Sequence, residues 1–433
     1  MFNKEDKYMA VIKFPYGKEK LSLDIADEKL NGVLVSKLHD YHTDKTQEEL
    51  VLEAMANPVG SEKLCDLAKG KDKVVIIASD HTRPVPSKAI MPAMLAEIRK
   101  GNPDADITIL IATGCHRGTT KDELVAKFGE EIVANEKIYI HDCDETDMLV
   151  KIGTLPSGGE LIINKLAVEA DLLVAEGFIE PHFFAGFSGA RKSVLPGIAS
   201  RVTVLANHCS EFIASPYART GILENNPIHE DMVYAGETAK LAYIVNVVID
   251  ENKEAIYAVA GDMEQAHKKG CEFLSGLCKA QALPGDIVIS TNGGYPLDQN
   301  IYQSVKGMTA AEATVKKDGV IIMLSKCNDG TGGDHFYHQM SEFESLDDIE
   351  AKLMARGRNE TLTDQWMTQI LTRILKNSSV VYVSDAPDDM IKSYHMIPAH
   401  SLDEAMEKAY EILGNKDAKV TAIPDGVSVM VVK

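Results

Sequence analysis

The stretch KVVIIASDHTRPVP, residues 73–86, begins with a run of apolar, mostly β-branched residues and ends in a polar segment. The run has the composition of a buried strand, and Asp80 and Arg83 follow it. Five further runs share this composition, with helical patterns between them: ITILIAT from 107, DLLVAEG from 171, DIVISTN from 286, GVIIML from 319 and SVVYVS from 379. Strands that alternate with helices predict an α/β fold with mostly parallel sheets.

A chain of 433 residues is too long for one ordinary core, so we expect two α/β domains. The least periodic connection, SGLCKAQALPGD, predicts a linker at residues 275–286. The expected domains are then residues 1–274 and 287–433, with a last strand that could pack on the N-terminal domain. Helix starts are predicted where a Thr or Ser stands three residues before a Glu; these pairs are Thr120 with Glu123, Thr309 with Glu312, and Ser401 with Glu404.

Composition excludes several classes of partner. The formal net charge of −20 and the lack of a long basic run argue against nucleic acids and anionic membranes, although a small anionic substrate remains compatible. The seven cysteines are scattered and never spaced as C-x-x-C, which favours a reducing compartment, the cytoplasm. The N-terminus lacks the apolar stretch of a signal peptide, and no segment approaches the roughly 20 apolar residues of a membrane span.

The residues that follow the predicted strands are polar, and ligands of open α/β sheets bind beyond the carboxyl ends of the strands. Asp80 and Arg83 follow one strand, His116 follows the next and His182 follows a third. Each residue has an ordinary structural interpretation: Asp80 could cap a turn, and a single histidine is more often a surface or core residue. Together they predict a site, because two imidazoles can alternate as acid and base near neutral pH.

The segment EPHFFAGFSGARKS, residues 180–193, resembles a phosphate loop of the type G-x-x-x-x-G-K-[ST], except that Arg191 stands where the second glycine belongs. Lys192 therefore has three candidate roles: a phosphate ligand at a helix N-terminus, a surface cation, or a covalent attachment point. Spacing alone leaves all three open. The sequence contains neither the nucleophile-elbow nor the dinucleotide-binding glycine pattern.

Five longer motifs together resemble the nickel-dependent lactate racemase family, and the resemblance extends from about residue 8 to residue 432. They are ASDHTRPVP, ATGCHRGTT, EGFIEPHFFAGFSGARKSVLPGIAS, ANH and STNGGYPLDQNIYQSVKGMTAAEA. The resemblance implies an N-terminal domain that binds the cofactor and carries the catalytic residues. It also implies an active site in the cleft between the two domains.

The family's cofactor is a nickel pincer nucleotide, pyridinium-3-thioamide-5-thiocarboxylic acid mononucleotide. By resemblance, Lys192 is its covalent tether and His208, in the ANH motif, is the protein's nickel ligand. Sulfur and imidazole donors suit Ni(II), which agrees with this assignment. Ser188 and Gly189 are expected to let the backbone approach the cofactor, and cofactor-biosynthesis proteins are the partners expected to load it.

The same resemblance implies the chemistry: L- and D-lactate are interconverted through pyruvate by reversible hydride transfer to the cofactor. His116 and His182 are then the catalytic pair. The remaining implied roles are substrate binding for Arg83, Gln303 and Lys306, and lining or supporting the cofactor site for Asp80, Tyr302 and Trp366.

Two residues depart from the family pattern: Ala190 replaces a usual glycine, and Cys115 precedes His116 where an apolar residue is expected. Cys115 leaves the substrate less certain than the reaction class. One alternative is a racemase or epimerase of another 2-hydroxy acid, such as malate, a longer aliphatic or aromatic acid, or a sugar acid; Arg117 is the nearest cation for a second carboxylate. A non-enzymatic carrier of the cofactor is a further alternative, which would need Lys192 and His208 but not the histidine pair.

Overall fold

The structure, a computed structural model, describes residues 9–432, apart from the side chain of His39. The chain forms two compact units. The central unit consists of Leu38–Leu277 and Arg358–Glu360, and the terminal unit consists of residues 9–37, Cys278–Gly357 and residues 361–432. Both are α/β units built on mostly parallel sheets, as the alternation of strands and helices predicts.

The central unit contains a six-stranded sheet. In spatial order its strands are Ala255–Gly261, Leu241–Ile249, Leu172–Phe178, Lys73–Ser79, Asp106–Ala112 and Lys137–Ile140. The first strand in this order is antiparallel to its neighbour and the others are parallel. The strands that precede Asp80, His116 and His182 are therefore neighbours with the same direction, which brings their carboxyl ends to one edge.

The terminal unit contains a second six-stranded sheet, in which all neighbouring strands are parallel. In spatial order the strands are Ile397–Ala399, Ser378–Val383, Val315–Leu324, Gly285–Thr291, Val420–Ile423 and Leu30–Val33. The shorter pairings of the described residues are Met9–Tyr16 with Glu19–Ala26, Leu149–Thr154 with Glu160–Asn164, Pro181–His182 with Gly186–Phe187, and Lys279–Gln281 with Met430–Val432.

Residues 9–37 lie in the terminal unit, whereas the sequence placed residues 1–274 in one domain. Leu30–Val33 pairs with Val420–Ile423, and the hairpin before it buries Phe14, Leu23 and Ile25 in the core of that sheet. Such pairing between distant segments leaves no local pattern in the sequence. The structure therefore corrects the predicted extent of the first domain.

The predicted linker at residues 275–286 is also ordered secondary structure. The helix Met263–Cys278 runs into it, and Lys279–Gln281 pairs with Met430–Val432. The last strand thus packs within the terminal unit and not on the N-terminal domain.

Helices cover the sheets. In the central unit they are Gln47–Ala56, Leu64–Leu67, Ser87–Gly101, Lys121–Phe128, Glu130–Asn135, Lys165–Val168, Arg201–Asn207, Ser210–Ala214, Pro227–Thr238 and Met263–Cys278, with short 3-10 helices at Leu38–Asp40, Thr146–Met148, Ala190–Ser193 and Arg358–Glu360. In the terminal unit they are Ile301–Glu312, Asp334–Ser341, Leu346–Ala355, Gln365–Asn377, Asp388–Ser393 and Leu402–Leu413. None of the helices within residues 9–432 is both long and apolar enough to cross a membrane.

The predicted helix starts can now be compared with the helices. Thr120 and Glu123 form the full reciprocal capping box, and Ser401 accepts a hydrogen bond from the Glu404 N–H at its helix start. The prediction at Thr309 is wrong, because that residue lies inside Ile301–Glu312, which Asn300 caps. The Thr309 hydroxyl donates to the Lys306 carbonyl instead.

Candidate active site

His116 is held by a carboxylate. Its Nδ1 lies 2.8 Å from Oδ2 of Asp80, on the neighbouring strand end, so the ring donates the Nδ1 proton and keeps a lone pair on Nε2. The Asp80 side chain is 1% exposed and that of His116 is 45% exposed. His116 is therefore oriented from the buried side and presents its free nitrogen outwards.

Asp80 stays ionised despite its burial. Its other oxygen accepts hydrogen bonds from the Thr82 N–H at 3.1 Å and from the Thr82 hydroxyl at 2.7 Å. Burial raises the pKa of Asp80, but the hydrogen bonds from His116 and Thr82 and the charge of Arg83 outweigh burial and hold that pKa below its ordinary value. An ionised Asp80 is what a protonated His116 needs as its counter-charge.

Two residues that the sequence reasoning missed hold the chain at Arg83 and just after it, at Ser87. Glu176 accepts a hydrogen bond from the Ser87 hydroxyl at 2.7 Å, and Lys127 donates to the Arg83 carbonyl at 3.3 Å. Arg83 itself is exposed, and no acidic side chain within residues 9–432 pairs with its guanidinium. It is thus available to an anionic ligand.

Arg117, the cation considered for a second substrate carboxylate, is engaged elsewhere. Its guanidinium contacts both Glu123 oxygens, at 2.5 and 2.9 Å, and the Gly118 carbonyl at 3.0 Å. Glu123 is in turn fixed by the capping box at Thr120. Recruiting Arg117 to a ligand would therefore break a bidentate ion pair at a helix start.

His182 is held in the opposite way to His116. It ends the short strand Pro181–His182, and its Nδ1 accepts the Ala185 N–H at 3.2 Å. A neutral His182 then carries its proton on Nε2, which lies 3.4 Å from Nζ of Lys192. The ring stacks on Phe183 and meets Phe184 edge-on, with centroids 5.0 and 4.5 Å away.

Lys192 lies in the 3-10 helix Ala190–Ser193 and is not at the N-terminus of an α-helix, which disfavours the phosphate-ligand role. It is partly buried, and its Nζ lies 5.8 Å from the Phe184 ring centroid. The His208 ring lies edge-on to Phe184, with the two ring centroids 5.1 Å apart. Phe184 thus holds together the three side chains that the sequence singled out, His182, Lys192 and His208.

His208 has the properties of a metal ligand. Its Nδ1 lies 2.9 Å from the Val204 carbonyl, to which it donates, so Nε2 keeps its lone pair. Burial, and then the charge of Lys192, lower the pKa of His208 to about 3. A neutral imidazole whose second nitrogen is fixed by a carbonyl is the usual arrangement of a ligating histidine. The residues present therefore fit the nickel-ligand role.

Arg191 anchors this loop, a role that the sequence did not reveal. The side chain is 1% exposed, and its guanidinium donates to the carbonyls of Ala185, Ser188 and Gly189 at 2.9–3.2 Å. Its remaining contacts are to His229 at 3.0 Å and His267 at 2.9 Å. Burial lowers the pKa of Arg191 to about 10, so the guanidinium remains charged at neutral pH.

Gly186 and Gly189 are required by the fold itself. Both have positive φ, 78° and 85°. A Cβ on Gly186 would lie 2.3 Å from the Ile222 carbonyl oxygen, and one on Gly189 would lie 2.6 Å from Asn246. The Ser188 hydroxyl donates to the Phe178 carbonyl and accepts the Glu180 N–H, both at 2.9 Å. These atoms serve internal packing, and the expected approach of the backbone at Ser188 and Gly189 to a cofactor stays a prediction.

Ala190 occupies a backbone conformation that favours glycine. Its φ is 46°, in the left-handed region, and its side chain is fully buried. Its N–H donates to Asn246 at 2.8 Å. This conformation explains why glycine would suit the position and why the alanine is a strained substitute.

The other predicted site residues, Tyr302, Gln303, Lys306 and Trp366, belong to the terminal unit. In the helix Ile301–Glu312, Lys306 follows Gln303 by three residues and Tyr302 by four, so it is a neighbour of both on the helix surface. Trp366 donates its indole N–H to the Tyr302 hydroxyl at 3.3 Å, and Tyr302 also hydrogen-bonds Asp364. The structure thus joins Tyr302 to Trp366, and the predicted ligand-binding roles of all four remain predictions.

The two groups of the central unit are neighbours along the sheet edge. The loop that carries His116 contacts the segment after Lys192, because the Gly114 N–H donates to the Gly197 carbonyl at 2.9 Å. Asp80 and His116 form one group through a hydrogen bond, and His182, Lys192 and His208 form the other around Phe184. The polar residues after successive predicted strands indicate the first group, but no spacing signal reveals the contacts of Arg191 or Glu176.

Known proteins resemble the chain over almost its full length. Residues 16–221 match the lactate racemase N-terminal domain family and residues 280–431 match the lactate racemase C-terminal domain family. The chain is 58% identical to the lactate racemase of Thermoanaerobacterium thermosaccharolyticum, covering 98% of the chain and 99% of the relative. It is 55% identical to that of Lactiplantibacillus plantarum, covering 98% and 100%.

A solved structure agrees with these relatives. The lactate racemase apoprotein from T. thermosaccharolyticum superposes with a TM-score of 0.94 at 57% identity, over 98% of this chain and 100% of that one. A protein from Thermotoga maritima shares the fold alone, with a TM-score of 0.64 at 19% identity.

Proposed function

Because the chain belongs to the lactate racemase family, we propose that it interconverts L- and D-lactate with a nickel pincer nucleotide tethered to Lys192. The observation that carries the proposal is the pair of neighbouring groups at one sheet edge. One group holds the oriented imidazole of His116. The other holds Lys192 beside His182, together with the neutral, buried His208. The identity of 55–58% over the whole chain supports lactate as the substrate.

Lys192 and His208 are the residues that would hold the cofactor. Lys192 supplies a primary amine within a partly apolar cluster, and His208 supplies a neutral Nε2 whose ring is fixed by Val204. When bound, the group supplies a reversible hydride acceptor for the lactate α-carbon. The protein's own task is then to place the substrate and to move the hydroxyl proton.

His116 performs this proton transfer as a general base. Its Nε2 lone pair takes the hydroxyl proton of lactate, and the imidazolium that forms is stabilised by Asp80, 2.8 Å from Nδ1. The same group returns the proton when the reaction runs backwards. Asp80 acts through His116 and is a positioning residue, which refines its predicted role in supporting the cofactor site.

His182, the second histidine of the proposed proton-transfer pair, is held by a different hydrogen bond. Because Nδ1 accepts the Ala185 N–H, protonation of His182 at both nitrogens requires that this hydrogen bond be broken. The Lys192 Nζ lies 3.4 Å from the ring. Its own positive charge also disfavours a positively charged His182. We infer that His182 exchanges the hydroxyl proton for one enantiomer of lactate and His116 for the other.

The carboxylate of lactate is assigned to Arg83, whose exposed guanidinium follows the same strand as Asp80. The hydrogen bond from Lys127 to the Arg83 carbonyl keeps this segment in place. Gln303 and Lys306 remain predicted contributors to substrate binding.

The structure disfavours malate as an alternative substrate, since Arg117 is committed to Glu123. Other 2-hydroxy acids with an uncharged side chain stay open as alternatives. The carrier hypothesis gives no reason for the Asp80–His116 hydrogen bond, because storage of a cofactor needs no oriented base.

The test is chiral analysis of cofactor-loaded protein with a panel of single-enantiomer acids: lactate, malate, 2-hydroxybutyrate, mandelate and glycerate. We expect lactate to approach an equal mixture of enantiomers fastest. Loaded His116→Asn protein is the matched control for residual activity of the cofactor. Preference for another acid would replace lactate as the substrate, and racemisation of none would overturn the proposal.

A further inference from the structure

Two thiols meet beside His116. The strands Asp106–Ala112 and Lys137–Ile140 are parallel, with Ile111 opposite Ile140. Beyond the strands the two segments stay in register, because the Thr113 hydroxyl donates to the His141 carbonyl at 2.5 Å. Cys115 and Cys143 each follow these residues by two positions, and their thiols are hydrogen-bonded to each other. The register of the sheet therefore brings the two sulfur atoms together.

The pair has unequal access to solvent. All seven cysteines lie within residues 9–432 as free thiols, and Cys115 alone among them is not buried. Cys143 is 5% exposed. An accessible thiol beside a buried one is the usual arrangement of an attacking and a resolving cysteine.

A cation accompanies the pair. Arg201 donates its backbone N–H to the Cys143 carbonyl at 3.1 Å, and its guanidinium is held by Asp144 at 2.7–3.2 Å. The guanidinium interacts electrostatically with both sulfur atoms. A nearby positive charge favours the thiolate form, which is the reactive form of cysteine.

We propose that Cys115 and Cys143 form a reversible disulfide, made by exchange with a low-molecular-weight disulfide, that switches off the base His116. The effect on activity rests on the proposed function, whereas disulfide formation does not. The site is a chemical modification site of the apoprotein as well as of the loaded enzyme.

The exchange balances in two steps. The Cys115 thiolate attacks one sulfur of glutathione disulfide and releases one glutathione thiolate, giving a mixed disulfide. The Cys143 thiolate then attacks the Cys115 sulfur and releases the second glutathione. Two protein thiols are oxidised by two electrons, glutathione disulfide is reduced to two thiols, and the two cysteine protons pass to the leaving thiolates.

Formation of the mixed disulfide on Cys115 also makes the attack by Cys143 easier. The hydrogen bond with Cys115, and then burial, raise the pKa of Cys143. Capping Cys115 removes the first of these causes, while Arg201 remains beside the Cys143 sulfur. Cys143 thus becomes easier to deprotonate once Cys115 carries glutathione.

The disulfide would act on His116 through the backbone. An S–S bond of about 2.05 Å is much shorter than a contact between hydrogen-bonded thiols, so Cys115 must move towards the buried Cys143. His116 follows Cys115 in the chain, whereas Asp80 is fixed on another strand by Thr82. We expect the 2.8 Å contact between His116 and Asp80 to be lost.

The chemical test uses apoprotein incubated with glutathione disulfide, alkylated with N-ethylmaleimide and digested without reduction. Mass spectrometry should find a peptide pair joined through Cys115 and Cys143, lighter by two hydrogens than the separate peptides and absent after dithiothreitol. Cys143→Ser should stop at glutathione on Cys115, and the matched control Cys65→Ser should leave the joined pair unchanged. If Cys143→Ser does not fold, Cys115→Ser, which should give neither product, serves in its place.

The structural test follows the ring of His116 by NMR in the same apoprotein, with His116→Asn used to assign its resonances. Oxidation should shift the His116 ring signals, and dithiothreitol should restore them. Wild-type protein that retains only glutathione on Cys115 would overturn the disulfide, and a joined pair with unchanged His116 signals would overturn the switch. Neither measurement needs cofactor or lactate, so failure of the proposed function would be detected separately by the chiral assay.

Discussion

The two histidines predicted to move protons lie at one sheet edge but are held by opposite partners. His116 donates to a buried carboxylate and is 45% exposed, whereas His182 accepts a main-chain N–H and sits among aromatic rings beside Lys192. The carboxylate stabilises a charged ring, and the N–H stabilises a neutral one. The first region, around Asp80 and His116, and the second region, around His182, Lys192 and His208, therefore support the proposed proton transfer through different partners.

The second region should lose its function most completely when altered. We expect His208→Ala to abolish bound nickel and lactate racemisation, and Lys192→Ala to abolish the covalent cofactor adduct, because no other described residue replaces either group. Elemental analysis and intact-mass measurement of loaded proteins check the two results. Nickel retained by His208→Ala, or an adduct retained by Lys192→Ala, would refute the corresponding assignment.

Substitutions in the first region should lower the rate of racemisation without removing the cofactor. Asp80→Asn removes the counter-charge of His116, so racemisation should fall by about 10²-fold, at the lower end of what a positioned base contributes, with the adduct unchanged. Thr82→Val is the matched control, because it removes the hydroxyl contacts to Asp80, at 2.7 Å, and to His116 Nδ1, at 3.4 Å, but keeps the carboxylate charge. Thr82→Val should lower the rate of racemisation by less than tenfold. Equal losses in both variants would indicate a general disturbance of the loop.

Because the equilibrium constant of racemisation is one, each variant must lower kcat/KM equally for the two enantiomers. Single-turnover formation of pyruvate from each pure enantiomer is therefore the more specific measurement. Loss of the Asp80 charge should slow it mainly for the enantiomer that depends on His116. Equal slowing for both enantiomers would mean that Asp80 has a structural role alone.

The neutral histidines around Lys192 and Arg191 predict acid sensitivity. Burial, and then the charge of Lys192 or Arg191, lower the pKa of His208 and of His229 to about 3, and the pKa of His267 is also lowered. The unfolded chain takes up these protons near the ordinary value of 6.5, which the folded protein does not. The stability they contribute is therefore complete above pH 6.5 and is lost as the pH falls from 6.5 towards about 3.

The free energy of unfolding of the apoprotein, measured with urea between pH 5 and 7, tests this. His229→Asn keeps an acceptor for the Arg191 Nε–H and removes one titrating ring, so near pH 5 the proton uptake on unfolding should fall by about one. An uptake equal to that of the wild type would show that His229 is not held neutral.

The smallest effect concerns the strain at Ala190. Ala190→Gly relieves a left-handed φ of 46°, worth about 1–2 kcal/mol, but loses a buried methyl group worth about 0.8 kcal/mol and adds flexibility to the unfolded chain. We expect stability to change by less than about 1 kcal/mol. Ala185→Gly, at an equally buried alanine without positive φ, should be clearly more destabilising. If both cost the same, φ at residue 190 carries no strain.

Much of the fold could be predicted from local patterns. The runs at residues 73, 107 and 171 became Lys73–Ser79, Asp106–Ala112 and Leu172–Phe178 within one residue, because β-branched residues bounded by turns rarely form anything else. The pairing of Leu30–Val33 with Val420–Ile423 could not be predicted. Its partners are nearly the whole chain apart, and only the packed sheet brings them together.

The contacts of the site also divide into those that the sequence indicates and those that it does not. The contact between Asp80 and His116 follows from adjacent strand ends, which the sequence already indicates. The contacts of His182 and Arg191 depend on the path of residues 182–192, including positive φ at Gly186, Gly189 and Ala190. No residue spacing encodes such a path, so the hydrogen bond between Ala185 and His182 had to be seen in the structure.

The central claim, that His116 and His182 serve opposite enantiomers, is tested most directly by a single turnover. Loaded His116→Ala and His182→Ala proteins, in excess over pure L- or D-lactate, are quenched in acid at millisecond intervals and the pyruvate is quantified. We predict crossed losses: one variant forms pyruvate slowly from one enantiomer, and the other variant forms it slowly from the other. Dependence of both enantiomers on the same histidine, with the other histidine dispensable, would contradict the account.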